Sequence, residues 1–410
     1  TMNLPFYISR RLAAGQRSKL SKFVIAISIA ATALSVATMI VSSAMVQGFR
    51  HEIAGKLYGF WGHIQVRSVD ATMGYDDEPI NYNQVSHLAE LDGISHLQAY
   101  AFKPAIVKTK EEIESVVLKG VGGDFDWEKM NGYLTDGTTF TEADSTSPYP
   151  VIFSEETARR LKLKVDEKLQ LYFATRYSSG MQMNIRQCRV AGIYKTGLAD
   201  FDKLYALCPI GMIQRLNRWD DIQVSGVEVF LDDPNDMQAV GRNINVEHVD
   251  QTLSAKTLHD MYPNLFDWLN LQKTNELIIL VLMTLVAVVN LVTMLLILIL
   301  ERFTFIGVMK SIGAGNGLLR TVFLHQAAHI IGWGLLLGNA LGIGICALQY
   351  YTHFITLPED SYFVNYAPVY FNWPFIVLMN VAVFIIALVV MVVPSWLVAR
   401  VEPVKVLRFG

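Results

Sequence analysis

Four long stretches without a charged residue constrain the fold of this 410-residue chain more than any other feature. They cover residues 23–49, 277–300, 321–358 and 361–399. A helix needs about 20 mostly apolar residues to cross the hydrocarbon core of a bilayer, and each of the last two stretches holds one such span plus part of a short link. The sequence therefore predicts four transmembrane helices, with a large domain inserted between the first and the second.

The charges between these stretches alternate in sign. The region between the first two spans is acidic, and Glu359 and Asp360 lie in the link after the third span. Lys and Arg collect before the first span, in the turn at 301–320 and in the tail, at Arg10, Arg11, Arg17, Lys19, Lys22, Arg302, Lys310, Arg320, Arg400, Lys405 and Arg408. Because Lys and Arg favour cytoplasmic loops, both termini and this turn are expected inside and the large domain outside.

The first span is longer than the apolar core of about 7–15 residues in a signal peptide, which favours an uncleaved anchor. The predicted organisation is an interfacial or cytoplasmic helix at 1–22, helix 1 at 23–48, the external domain with a helical stalk at 49–272, helix 2 at 273–300, a cytoplasmic segment at 301–320, helix 3 at 321–350, an external link at 351–372, helix 4 at 373–399 and a cytoplasmic tail at 400–410.

The external domain has the sequence of an ordinary globular protein, although the whole chain is 52% hydrophobic. Apolar runs predict strands near residues 64–66, 116–118, 169–173, 188–194 and 227–231, and helices are predicted at 154–163 and 210–216. A mixed α/β domain follows from this pattern. Cys188 and Cys208 of this domain are either a disulfide or two buried free thiols.

Motifs for catalysis are lacking in the sequence. It has no G-x-x-x-x-G-K-[ST] phosphate loop, H-E-x-x-H, G-x-S-x-G or C-x-x-C. His325 and His329 share one face of the third span, but a polar pair between helices is favoured over a metal site without a third ligand. We therefore predict no catalytic, cofactor-binding or metal residues, and an autonomous enzyme has no supporting group of residues.

The turn at 301–320 contains a short apolar helix. Residues 303–312 would place Phe305, Val308, Met309 and Ile312 on one stripe, too short to cross a membrane and flanked by charge. Such a stripe suits a groove on a partner protein.

This turn resembles the E-R-x-x-x-I-G-x-x-K-x-x-G-A pattern of the type VII ABC permeases, the family of lipoprotein-releasing, macrolide-exporter and cell-division permeases. The tail at 403–408 resembles the closing P-x-x-x-L-R of that family, and residues 151–173 are similar to its periplasmic domain. Phe305 stands where many members have an acid. The resemblance assigns ATPase coupling to Glu301, Arg302, Phe305, Ile306, Gly307, Val308, Met309, Lys310, Gly313 and Ala314.

The resemblance implies half of a permease dimer, of identical or paralogous halves, in a bacterial inner membrane. A separate cytoplasmic ABC ATPase would bind ATP and Mg, and the periplasmic domain would move as the ATPases close. The lipoprotein-releasing branch is the best match, so the implied partners also include a periplasmic carrier, lipoprotein substrates and membrane lipids, with no nucleic acid. The alternative is a cell-division-type permease that regulates a cell-wall hydrolase without transport.

Two further sites come from the lipoprotein-releasing branch. Its carrier-docking hairpin corresponds here to residues 174–184, with Arg176, Tyr177, Met181 and Met183, although an ordinary strand connection explains these residues equally well. Small and soft residues of the first span would surround acyl chains, or would serve close helix packing instead. These residues are Ala33, Ala37, Met39, Ser43 and Met45.

Overall fold

A computed structural model describes residues 19–71, 78–109, 112–141, 144–177, 180–358 and 362–395. The chain divides into two compact units. The membrane unit comprises residues 1–51, 268–356 and 366–410, and the α/β unit comprises residues 52–267 and 357–365. The predicted helix at 1–22, apart from its last residues, and the tail at 400–410 lie outside the described residues.

The helices, in chain order, are α1 (Lys19–Trp61), α2 (Trp127–Asn131), α3 (Glu155–Leu161), α4 (Ala199–Asp202), α5 (Ile210–Asn217), α6 (Met237–Asn243), α7 (Leu258–Met261), α8 (Pro263–Glu301), α9 (Phe303–Ser311), α10 (Asn316–Thr352) and α11 (Trp373–Ser395). The strands are β1 (Ile64–Ser68), β2 (Ile80–Asn81), β3 (Ile94–Lys108), β4 (Ile113–Val121), β5 (Leu134–Gly137), β6 (Tyr149–Ser154), β7 (Lys168–Tyr177), β8 (Gly180–Tyr194), β9 (Tyr205–Pro209), β10 (Gln223–Val224), β11 (Gly226–Leu231) and β12 (Leu253–Thr257).

Four of the described helices, α1, α8, α10 and α11, are long and apolar enough to cross a membrane. This confirms the four apolar helices that the sequence predicts. The predicted stalk consists of the stretches 49–58 and 265–276, which follow the first span and precede the second. Both are helical, since α1 continues to Trp61 and α8 begins at Pro263. Their service as a stalk stays a prediction.

Glycines of α10 determine how closely it approaches α1. Gly334, Gly338 and Gly342 recur at every fourth position and face α1; a Cβ added at Gly338 would lie 2.7 Å from the Val36 Cβ and 2.8 Å from the Ala33 carbonyl oxygen. Lipid is as apolar as a leucine side chain, so helices in a bilayer are held by close packing rather than by the hydrophobic effect. The small-xxx-small spacing of α10 provides that packing.

The α/β unit is organised around one large sheet. Its main strand order is β12-β1-β11-β3-β4-β9-β6-β8-β5, and β7 pairs with both β3 and β8. Strands β3, β4, β9, β6, β8 and β7 therefore pair in a closed circuit, which leaves these strands without a free edge along the paired residues. Strands β11, β1 and β12 extend the sheet from β3, and β5 pairs with β8.

A fully buried ion pair lies in the core of this unit. Lys119 Nζ is 2.7 Å from Glu228 Oε1 and donates to the backbone carbonyl of Phe60 in the last turn of α1. Gln98 Nε2 donates to the other oxygen of Glu228 at 2.6 Å, and the Lys119 ammonium lies 5.0 Å from the Trp61 ring centroid. Burial lowers the pKa of Lys119 and raises that of Glu228, while their mutual contact opposes both shifts.

The outer edge of β12 is covered by one side chain. Asn245 Nδ2 donates to the Ala255 carbonyl, and the Ala255 N–H donates to Asn245 Oδ1, both at 2.7 Å. The amide of Asn245 thus takes the place that a neighbouring strand would occupy.

Most apolar runs of the sequence are strands or helices of the structure. Each of the five predicted strands lies within an observed one, and Ser154 caps α3 by accepting a hydrogen bond from the Thr157 N–H at 3.1 Å. The long strand β3 was not predicted, because His96, Gln98, Lys103 and Pro104 interrupt its apolar pattern.

Candidate coupling and docking sites

Helix α9 is the short helix that the turn at 301–320 predicts, and its end is set by a glycine. Gly313 has a φ of +96°, which L-residues with a side chain rarely adopt. The Gly313 N–H donates to the Lys310 carbonyl at 3.0 Å and the Ala314 N–H to the Met309 carbonyl at 2.9 Å. This pair of bonds is a Schellman motif, so the Gly-Ala pair of the family pattern fixes where α9 ends.

The apolar stripe predicted for α9 is divided between two faces. Ile306 is fully buried in the membrane unit, and Met309 packs against the same cluster of apolar side chains. Val308 is 39% exposed and Ile312 is 77% exposed. Met309 is half-buried and contributes to the packing of the unit, and the prediction that Phe305, Val308, Met309 and Ile312 all face a partner stays a prediction.

The other residues assigned to coupling surround this surface. Gly307 is buried beside Ile306, and Ala314 packs against the same apolar cluster as Met309. Of the remaining ones, Gly313 is exposed and four are half-buried, namely Glu301, Arg302, Phe305 and Lys310. The exposed side chains of α9 are therefore those of Phe303, Thr304, Val308 and Ser311, and Ile312 is exposed at its C-terminal cap. We call these five residues the α9 face.

The predicted carrier-docking loop at 174–184 is an extension of two strands. Strands β7 and β8 pair continuously from Lys168↔Arg189 to Tyr177↔Gly180, so Arg176 and Tyr177 belong to β7 and Met181 and Met183 to β8. Beyond Tyr172 the ribbon has no other paired strand among the described residues. Of these predicted residues only Met183 has a described side chain, and it is 57% exposed.

An apolar row that the sequence analysis missed lies beside Met183. Antiparallel partners place their side chains on the same face, and the register aligns Ile106 with Tyr172 and Tyr172 with Ile185 across three strands. Ile185 is 49% exposed, and Ala174 is exposed opposite Met183. The signal available in the sequence was that alternate residues of the segments 170–174 and 183–187 would lie on one face of a strand, which places Tyr172 with Ala174 and Met183 with Ile185. We call Ile106, Tyr172, Ala174, Met183 and Ile185 the sheet face.

The residues predicted to face lipid on the first span point into the bundle. Ala33, Ala37, Met39 and Ser43 are buried, and Met45 is half-buried. Ala33 and Ala37 lie where the glycines of α10 approach α1. The small size of Ala33 and Ala37 therefore suits close helix packing, whereas contact of the five residues with acyl chains stays a prediction. Phe23, Ile27 and Leu34 are large exposed apolar residues of the same helix.

The histidine and cysteine residues singled out in the sequence do not assemble into a metal site within the described part of the chain. His325 Nδ1 lies 2.8 Å from the Thr321 carbonyl oxygen, and Trp333 Nε1 donates to His329 Nε2 at 3.2 Å. Cys188 and Cys208 are buried free thiols. Burial raises the pKa of Cys188 to about 12, which keeps it protonated and unreactive at neutral pH.

Comparison with family models divides the chain into two matched regions. The model described as FtsX-like permease C-terminal matches residues 277–403, and that described as MacB-like periplasmic core domain matches residues 25–246. The first region contains α9 with its exposed face. The second contains most of the sheet, including β7 and β8.

Named proteins are similar over nearly the whole chain. The lipoprotein-releasing system transmembrane protein LolE of Haemophilus influenzae is 24% identical, over 99% of each chain. The LolC protein of Xylella fastidiosa (strain 9a5c) is also 24% identical, over 98% of this chain and 97% of that protein. Among solved structures, the extracellular domain of the noncanonic ABC-type transporter YknZ covers 47% of this chain and 99% of its own, with a TM-score of 0.33 and 18% identity.

Proposed function

Because this chain belongs to the family of FtsX-like and MacB-like ABC transporter permeases, we propose that it is the permease subunit of a lipoprotein-releasing complex in a bacterial inner membrane. It would pair with a second permease half, identical or paralogous. ATP and Mg would be bound by a separate cytoplasmic ABC ATPase, and lipoproteins would pass to a soluble periplasmic carrier. The names of the full-length relatives support this substrate class.

The observation that carries the proposal is the α9 face. Helix α9 has nine residues and lies between two membrane spans, and Val308 and the C-cap residue Ile312 are exposed. Neighbouring exposed apolar side chains of this kind mark a surface that binds a partner. An apolar groove on the ATPase would bury them, while Ile306 and Met309 hold the other side of α9 to the membrane unit. Movement of the ATPase would then displace α9 together with the ends of α8 and α10.

The test replaces exposed residues of α9 by aspartate. Ile312→Asp or Val308→Asp should abolish co-purification of the ATPase, since a desolvated carboxylate without a partner costs several kcal/mol, on the order of 2–5. Asn316→Asp adds the same charge at an exposed position nearby and should leave the complex intact. Normal recovery of ATPase with Ile312→Asp would remove this face from the coupling role.

Met309→Asp gives the internal comparison. Since Met309 is half-buried and packs against an apolar cluster of the membrane unit, its replacement should lower the yield of folded permease rather than release the ATPase from a folded one. Size-exclusion chromatography in detergent distinguishes the two results, because only a folded permease elutes as a single symmetric peak. A well-folded Met309→Asp permease without ATPase would instead return Met309 to the partner surface.

The sheet face is the proposed docking surface for the periplasmic carrier. Its exposed Met183 lies on the part of the ribbon where β7 and β8 pair with no other strand among the described residues, and the exposed Ile185 lies where that part begins. Methionine adapts to an irregular partner surface because its side chain is unbranched and polarizable. A carrier of acylated proteins is expected to present apolar residues near its own opening.

Alanine substitutions test this surface. Met183→Ala and Ile185→Ala should each weaken carrier binding by about 1–2 kcal/mol, without lowering the thermal midpoint, because both side chains are exposed. Gln182→Ala alters an exposed residue on the opposite face of β8 and is the matched control. Undiminished binding by the double variant would make the ribbon a plain connection, and capture of a cell-wall hydrolase instead of a carrier would favour the regulatory function.

The proposed orientation has both termini and α9 in the cytoplasm and the α/β unit in the periplasm, as the distribution of Lys and Arg predicts. Cysteines at Gln182 and Asn316, two exposed positions, provide the test. An impermeant maleimide added to intact spheroplasts should label Gln182→Cys and not Asn316→Cys. The reverse pattern would invert the topology and exclude ATPase binding at α9.

A further inference from the structure

Helices α1 and α8 meet along an antiparallel seam that has two polar contacts. At one end, Ser43 Oγ donates to Glu276 Oε1 at 2.6 Å, and Gln47 Nε2 donates to Ser43 Oγ at 2.9 Å. At the other end, Asn290 Nδ2 donates to the Ser28 backbone carbonyl at 3.1 Å. The two contacts agree with one antiparallel register, because the segment of α1 from Ser28 to Ser43 lies beside the segment of α8 that runs from Asn290 back to Glu276.

The two ends of this seam are packed very differently. Around Asn290, buried apolar residues of α8 join Ile25 of α1 in one cluster, namely Leu291, Met294, Leu295, Leu298 and Ile299. Between residues 270 and 286 of α8, in contrast, the buried side chain is that of Glu276, at 7% exposure. Leu280 and Met283 contact the bundle there but are only partly buried.

Buried apolar side chains of α8 therefore hold the Asn290 end of the seam, whereas at the Glu276 end a hydrogen-bonded carboxyl group is joined only by the partly buried Leu280 and Met283. Tight apolar packing in a bilayer resists separation over its whole length, whereas a few hydrogen bonds break and re-form as a unit. We infer that Ser43, Gln47 and Glu276 form a latch between α1 and α8, which releases the Glu276 end of the seam while the Asn290 end stays closed. We call these three residues the Glu276 latch.

Release would open a lateral gap lined by small and apolar residues. Met39 and Ser43 of α1, which are buried in the closed seam, would become accessible from the lipid. A gap of this composition admits an acyl chain, and this use of it rests on the proposed function. The latch itself depends only on the contacts within the membrane unit.

Disulfide trapping in the full-length chain tests the latch. In a variant with Cys188, Cys208 and Cys346 changed to Ala, paired cysteines at Met39 and Leu280 report the Glu276 end. Cysteines at Ile25 and Met294, which follow the same register at the Asn290 end, report the other. Both variants are inserted in nanodiscs and oxidised for a fixed time.

Glu276→Ala should lower the disulfide yield of the Met39–Leu280 pair about threefold or more, as expected for loss of interhelical hydrogen bonds in a bilayer. It should leave the Ile25–Met294 pair unchanged, which also shows that the bundle is folded. Glu276→Gln should keep the yield of the parent, because its amide oxygen can accept from Ser43 and Gln47. An unchanged yield with Glu276→Ala, or an equal fall at both pairs, would overturn the latch.

A second arm separates the latch from the proposed substrate. Adding a synthetic triacylated lipopeptide to the parent should lower the Met39–Leu280 yield and spare the Ile25–Met294 yield. Failure of this arm, with the expected result for Glu276→Ala, would reject acylated substrates at the seam and leave the latch in place.

Discussion

The two units bury polar groups by opposite means. In the α/β unit a continuous apolar core encloses a lysine and a glutamate that have no contact with solvent. Among the described residues of the membrane unit, the buried polar side chains are small or neutral apart from one glutamate, namely Ser28, Thr32, Ser35, Ser43, Glu276, Gln326 and Gln349. The hydrophobic effect stabilises the core of the α/β unit, which encloses the charge pair. The helices of the membrane unit are held instead by close packing and by a few hydrogen bonds.

The ion pair gives the largest test of this contrast. Lys119→Met leaves Glu228 buried without its countercharge and should lower the free energy of unfolding of the α/β unit by about 3–5 kcal/mol. Hydrogen exchange of the β4 and β11 amides in the full-length chain measures the loss. The double variant Lys119→Met/Glu228→Leu should recover most of it; if it stays as unstable as the single variant, the hydrogen bonds to Phe60 and Gln98 matter more than the charge balance.

A buried histidine makes the stability of the α/β unit dependent on pH. Burial, with a smaller contribution from Lys129, lowers the pKa of His63 to about 4, and its Nδ1 accepts a hydrogen bond from the Leu231 N–H at 2.9 Å. The unfolded chain binds a proton more readily between the ordinary pKa near 6.5 and about 4, so stability falls as pH is lowered through this window.

The expected loss from His63 is about 2 kcal/mol between pH 7 and 4.5. Thermal unfolding of the full-length chain at both pH values measures it. His63→Asn keeps an acceptor near the Leu231 N–H and should show a smaller loss, while other acids titrate equally in both proteins. Equal losses in the two proteins would show that His63 does not set this dependence.

Glycine packing tests the other side of the comparison. Gly338→Ala places a methyl group against Val36 and Ala33 and should destabilise the bundle by about 1–2 kcal/mol, because α1 and α10 must separate slightly. Gly344 of the same helix has no atom within 4 Å of an added Cβ, so Gly344→Ala should be neutral or slightly stabilising. Unfolding of the full-length chain in mixed micelles compares the stability of the two variants. Identical unfolding curves for Gly338→Ala and Gly344→Ala would show that Gly338 has no special packing role.

The smallest effect concerns a pair of amides within the bundle. Asn339 Nδ2 donates to Asn380 Oδ1 at 2.7 Å, and Asn380 Nδ2 donates to Asn339 Oδ1 at 2.9 Å. A double-mutant cycle to alanine should give a coupling energy of about 0.6 kcal/mol, the average for polar contacts in membranes. A coupling as large as that of Lys119 with Glu228 would erase the distinction between the units.

Sequence reasoning succeeded where one signal dominates. Length and apolarity determine the four long helices, and β-rich runs such as 188–194 are strands whatever surrounds them. It failed where tertiary packing decides. Nothing in the local sequence shows that Met309 packs against an apolar cluster of the membrane unit while Val308 is exposed, because both are apolar and one position apart on a short helix.

The register of the sheet was equally hidden from the sequence. Ile106, Tyr172 and Ile185 are far apart in the chain, and only the pairing of β3, β7 and β8 brings them into one row. The small residues of the first span gave a pattern that fits lipid contact and helix packing alike. Three glycines of α10 lie against that helix, which supports the packing alternative for Ala33 and Ala37, while contact with acyl chains stays a prediction.

Asn245, which covers the outer edge of β12, has a consequence for crowding. In the proposed complex, two permease halves would hold their folded sheets at a high local concentration. An open strand edge under those conditions would recruit a neighbour's strand and grow into an aggregate. Since the Asn245 amide occupies both backbone groups of Ala255, that growth is blocked at Ala255, and copies of the chain can stand side by side as separate molecules.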